Sequence, residues 1–68
     1  MKGKITPKQL EVLKLLANGY SSEEIAKQLG NSNRTIDSIR RDMLKTFSVN
    51  NVAHLIAWGF RNGYLELD

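Results

Sequence analysis

Apolar residues recur along most of this chain at the three-and-four spacing of helices. The gaps between the apolar runs carry caps and glycines, and no usable stretch alternates apolar with polar residues as a strand would. The most informative run is Ser32 to Phe47. One side of it carries Ile36, Ile39, Met43 and Phe47; the other carries Arg34, Asp37, Ser38, Arg41 and Lys45. Such a helix is anchored by one side and presents guanidinium, carboxylate and hydroxyl groups on the other, where base edges and phosphates could meet them.

The punctuation predicts four helices, at about 7–18, 22–29, 33–47 and 51–62, in one all-α domain spanning 1–68. Thr6 can cap the first, with Pro7 at the first helical position and Gln9 closing a capping box; Gly19 stops it. Ser21 and Glu24 repeat the device for the second, and Gly30 ends it. Ser32 caps the third. Asn50 or Asn51 starts the fourth, with Gly63 behind it. In the fourth, Val52, Leu55, Ile56, Gly59 and Phe60 lie on one flank, and Ala53, His54, Ala57, Trp58 and Arg61 on another.

The second and third helices are separated by the short turn Leu29-Gly30-Asn31-Ser32, the length and composition of a helix-turn-helix. So tight a turn predicts a steep crossing, with the third helix projecting from the body. Ala26 is small where the two helices would meet closely.

Length and composition narrow the picture. A chain of 68 residues buries only about 60% of its unfolded surface, so its core needs support. With no cysteine, disulfides, zinc–thiolate sites and thiol catalysis are excluded, and the single histidine, His54, cannot build a metal site alone. That leaves oligomerisation and ligand binding as sources of support. The net charge of +3 is mild; its distribution says more. Lys2, Lys4, Lys8 and Lys14 load the first stretch, Arg34, Arg40, Arg41 and Lys45 load the third helix, and Glu66 and Asp68 make the tail acidic. Lys2 and Lys4 could trail along a nucleic-acid backbone or simply fray. No apolar stretch is long enough to span a bilayer and no signal-peptide pattern is present, so the expected location is the cytoplasm. There is no nucleophile–base pair, glycine-rich phosphate loop, cofactor motif or evident effector site; neither an enzyme nor a cofactor is expected.

Read together, these residues resemble the LuxR-type, also called GerE- or FixJ-type, helix-turn-helix domain of bacterial regulators. The resemblance runs over about residues 5 to 65. It is carried by Ile5-Thr6-Pro7, by Glu11-Val12-Leu13-Lys14-Leu15-Leu16-Ala17-Asn18-Gly19, by Ser21-Ser22-Glu23-Glu24-Ile25-Ala26, and by Leu29, Ser32, Thr35-Ile36, Met43, Phe47, Val49 and Gly63. It implies four helices, the third in the major groove of double-stranded DNA, and a fourth that commonly pairs two domains about a two-fold axis. The chain departs from the family pattern at Asn31, usually apolar, and at Ile39, often histidine. Many members are basic where Asp37, Thr46 and Val52 stand, so the family's phosphate contacts lack a counterpart there and Asp37 implies a different base preference. Family members usually carry a receiver or ligand-binding domain ahead of this one; this chain shows neither, so the expectation is a stand-alone, spore-regulator-like member or an excised piece of a longer protein.

The family's base-touching positions correspond to Asp37, Ser38 and Arg41. The chemistry agrees: Arg can bond guanine O6 and N7 together, Asp can accept from the cytosine N4 amine, and Ser serves several bases. The bland alternative is a solvated face with Asp37 and Arg41 as an i,i+4 ion pair. Phosphate contacts are expected from Ser21, Ser32 and Thr35, with Arg34 and Lys45 supplying charge. Arg40, between the reading side and the core, is placed to reach a phosphate or to pair with Glu24. Ala53, His54, Ala57, Trp58 and Arg61 form a candidate homodimer patch, small alanines allowing close approach and Trp58 adding contact area. The alternative for Trp58 is core packing on the first helix. The expected function is a DNA-binding transcriptional regulator; the alternative is a protein-interaction module that has kept the scaffold and lost DNA binding.

Overall fold

A computed structural model describes residues 4–67; Lys2 of the expected basic arm and Asp68 of the acidic tail lie outside them. The described residues form α1 (Pro7–Ala17), α2 (Ser22–Leu29), α3 (Asn33–Thr46) and α4 (Val52–Arg61). Asn18, Phe47, Asn51 and Asn62 are caps rather than helical residues.

Each helix begins where a side chain satisfies its first backbone donors. The Thr6 hydroxyl accepts from the Gln9 N–H, and the Gln9 side chain accepts from the Thr6 N–H at 3.0 Å. Ser21 and Glu24 close the same box on α2, the Glu24 carboxylate taking the Ser21 N–H at 2.9 Å. Both backbone and side-chain hydrogen bonds from Ser21 favour the ionised form, and they hold the Glu24 carboxyl below the ordinary carboxylate range. On α4 the cap is Asn51, whose Oδ1 accepts the His54 N–H at 2.8 Å. His54 closes a reciprocal arrangement there, its Nδ1 accepting the Asn50 N–H at 3.2 Å.

The core is built from one side of every helix. Val12 and Leu13 of α1, Ile25 of α2, Ile36 and Met43 of α3, and Leu55 of α4 are fully buried, with Phe47 beside them. α3 packs against all three other helices. It is therefore seated in the body along its apolar side, rather than projecting from it as the tight turn suggested. Only its outer side is free.

The turn between α2 and α3 has the predicted form. Gly30 takes the left-handed conformation, φ 67°, that only glycine adopts without strain. The next residue, Asn31, returns its N–H to the Ala26 carbonyl at 2.9 Å. Ala26 is 4% exposed, small enough for α3 to lie close over it.

After α4 the chain folds back on the helix it has just left. The N–H groups of Tyr64 and Leu65 both donate to the Gly59 carbonyl, at 2.9 and 3.2 Å. Gly59 makes this possible: a Cβ there would stand 2.8 Å from Leu65 Cδ1 and 3.1 Å from Leu13 Cδ2. Leu65 thereby joins the core. No helix among the described residues is long and apolar enough to cross a membrane.

Candidate nucleic-acid interface

The outer side of α3 is a ridge of four side chains at helical spacing, Arg34, Ser38, Arg41 and Lys45, all exposed. They line a shallow open groove together with Asp42, Leu44 and Val49. The residues directly behind them on the helix, Ile36 and Met43, are completely buried. The core thus fixes the rotation of α3 and holds the cationic ridge outward. A guanidinium or ammonium placed this way keeps its donors available for an incoming acceptor.

Asp37 is set apart from that ridge. It lies on the flank of α3, half-buried, and its Oδ1 pairs with Arg40 Nη2 at 3.2 Å, both side chains 35% exposed. This departs from the expected pairings in two ways. Asp37 joins Arg40 rather than Arg41, and Arg40 does not join Glu24, whose carboxylate is taken by the cap of α2. Both i,i+3 and i,i+4 partners were within reach of Asp37. Taking the nearer one leaves Arg41 without an ion pair among the described residues.

The hydroxyls gather at helix starts. The Ser32 Oγ accepts the Thr35 N–H at 3.1 Å and lies 3.0 Å from the Thr35 Oγ1, so the two hydroxyls share a hydrogen bond at the exposed start of α3. The Ser21 Oγ accepts from the Glu24 N–H at 3.2 Å, and its hydroxyl also bonds the Glu24 carboxylate, at the exposed start of α2. Ser21, Ser32, Arg34, Thr35 and Lys45 are all exposed.

The expected patch on α4 divides. Ala53, Ala57 and Arg61 are exposed, while His54 and Trp58 are half-buried. Trp58 stacks on Phe47 at 4.1 Å between ring centroids and on Tyr64 at 5.4 Å. Its ring is packed within the domain, against Phe47 at the end of α3 and Tyr64 of the returning tail. Phe60, grouped in the sequence with the inward flank, is 40% exposed. On the helical projection it falls beside Ala53 and Ala57. The sequence held a signal for this: Phe60 follows Ala53 and Ala57 by seven and three residues, spacings that share a face.

This arrangement matches known proteins closely. The family model described as bacterial regulatory proteins, luxR family, matches residues 4–58, taking in α1 to α3 and the first turns of α4. The chain belongs to that family. Its fold is similar to the solved structure of the transcription factor GerE, with a TM-score of 0.88, 28% identity, and coverage of 93% of this chain and 94% of that one. It is also similar to part of the Vibrio cholerae VqmA–ligand–DNA complex: the TM-score is 0.84 and the identity 25%, over 100% of this chain but 30% of that chain. The transcriptional regulatory protein MctR of Rhizobium johnstonii is 30% identical over 62 residues, covering 91% of this chain. The chain spans 29% of the length of that relative. The described residues are thus a LuxR-type helix-turn-helix, the DNA-binding domain of transcriptional regulators and not an enzyme.

Proposed function

We propose that this domain reads a specific duplex sequence by laying the outer side of α3 in the major groove. Arg41 and Ser38 contact base edges at the centre of the ridge, and Asp37 contacts a base from its flank. Arg34 and Lys45, at the two ends of the ridge, meet phosphates. Ser21, Ser32 and Thr35 place their hydroxyls toward the phosphates at the starts of α2 and α3, where the helix dipole also favours an anion. The observation that carries this reading is the exposed ridge Arg34, Ser38, Arg41 and Lys45, backed by fully buried Ile36 and Met43. The likeness to VqmA, solved in a complex with DNA, supports the DNA-binding reading.

The same reading includes a homodimer through α4. Ala53 and Ala57 are small and exposed, so two copies of the helix can approach closely there. Phe60 and Arg61 extend the patch, and His54 and Trp58 border it. A symmetric pair would read two half-sites about one helical turn, roughly 34–36 Å, apart. One of the similar solved structures is of a VqmA dimer, which supports pairing.

Selection of bound duplexes from a random pool, run beside a sizing measurement of the protein, tests both parts. An enriched palindrome with two half-sites is the expected outcome. Recovery of no enriched sequence would refute the base-reading assignment. Selection of a single unpaired half-site by a monomer would refute the dimer.

A further inference from the structure

A carboxylate on a helix that enters DNA faces a wall of phosphates, and an unpaired one opposes docking on any sequence. Asp37 stands on α3 at such a place. In the structure it is not unpaired. Arg40, one turn along the same flank, brings Nη2 to 3.2 Å from Asp37 Oδ1. The pair is half-exposed, with each side chain at 35%. Arg40 makes no other ion pair among the described residues, and the Glu24 carboxylate is held by the Ser21 N–H. The cations on the outward ridge are differently placed: Arg34, Arg41 and Lys45 are exposed and form no ion pair among the described residues.

We propose that Arg40 is a positioning residue for sequence recognition, acting through Asp37. This rests on the DNA reading above. Arg40 neutralises the Asp37 carboxylate, lowering its repulsion from the backbone, and fixes its direction along the flank of α3. An ionised carboxylate offers about four lone-pair sites, so one that holds a guanidinium still has capacity to accept from the exocyclic amine of a cytosine. Together the two residues let a negatively charged group serve as a base reader. Arg40 itself makes no required phosphate contact.

A double-mutant cycle on the selected duplex tests this. The proteins are the unaltered domain, Arg40→Ala, Asp37→Ala and the double variant, with Arg40→Lys as the conservative control and thermal melts to confirm folding. Arg40→Ala should weaken binding to the selected duplex about tenfold, in the middle of the range for coupled neighbours. It should relax base preference at the same base pair as Asp37→Ala. In the Asp37→Ala background, removing Arg40 should change affinity less than about twofold, as for uncoupled sites. Arg40→Lys should recover most of the loss. Equal losses in both backgrounds, with the salt slope reduced by about one, would show a direct phosphate contact and overturn the inference. No loss in either background would overturn it as well. Failure of the unaltered domain to bind any selected duplex would instead remove the DNA reading on which the inference stands.

Discussion

Phe47 and Trp58 stack face to face, their ring centroids 4.1 Å apart and their planes inclined by 16°. The contact joins the end of α3, proposed to read DNA, to the helix proposed to pair two domains. Tyr64 extends the stack from the returning tail, 5.4 Å from Trp58. Stacked aromatic pairs contribute about 0.5–1.5 kcal/mol beyond the area they bury. Trp58→Ala should therefore destabilise the domain on the order of 3 kcal/mol, the low end for large aromatic deletions because the ring is only half-buried. Trp58→Phe should retain most of the stability. Urea titrations followed by circular dichroism measure both. A monomeric but fully stable Trp58→Ala would mean that the ring serves pairing alone.

Asn31 is the weak point of the helix-turn-helix. Its backbone N–H is satisfied by Ala26, but its Oδ1 is buried with no hydrogen-bond partner. A buried polar atom left unpaired costs about 1–3 kcal/mol. Leucine has a similar branched shape and nothing to desolvate. Asn31→Leu should raise stability by about 1 kcal/mol and leave DNA affinity unchanged, because Asn31 is not one of the proposed contacts. A lower midpoint in urea would contradict this.

Acid should loosen the start of α2. The folded state holds Glu24 below its ordinary value of 4.5, through its hydrogen bonds with Ser21. A group with a depressed folded pKa adds stability that is present above its unfolded pKa and lost as pH falls through the folded one. Glu24→Gln keeps an acceptor for the Ser21 N–H but cannot titrate. The unaltered domain should be the more stable at neutral pH, and that advantage should shrink from about pH 4.5 downward. Thermal melts across that range, compared between the two proteins, check the sign. An advantage that grew in acid would be inconsistent with the capping box.

Much of the fold was legible because capping is local chemistry. Thr6, Ser21, Ser32 and Asn51 all cap as their positions predict, and Gln9 and Glu24 close their boxes. The buried side of α3 was legible in Ile36, Met43 and Phe47, although Ile39 is only half-buried. Ends without a glycine were harder to read. Ser48 follows α3 at φ 56°, a left-handed position that a non-glycine residue rarely occupies. α4 was harder still. Nearly all of it is apolar, so periodicity could not say which flank turns inward. The decision belongs to the tail: Leu65 lies over Gly59 and claims that side, leaving Phe60 outside.

The outer side of α3 was legible as a list of exposed residues but not as an arrangement. A helical projection offers Asp37 two cationic partners, Arg40 and Arg41. Only the folded side chains show that Arg40 is the one taken. That choice leaves Arg41 without an ion pair among the described residues, at the centre of the exposed ridge.

The central claim is that Arg41 reads a base while Lys45, at the end of the same ridge, holds the backbone. The most direct measurement is the affinity of Arg41→Ala and Lys45→Ala for the selected duplex and for random duplex, over a range of salt. Arg41→Ala should lose about 1–3 kcal/mol on the selected duplex alone and relax preference at one base pair. Lys45→Ala should weaken both duplexes alike and reduce the salt slope by about one. If Arg41→Ala weakened selected and random duplex equally, Arg41 would be only another phosphate contact, and the account of recognition by α3 would be wrong.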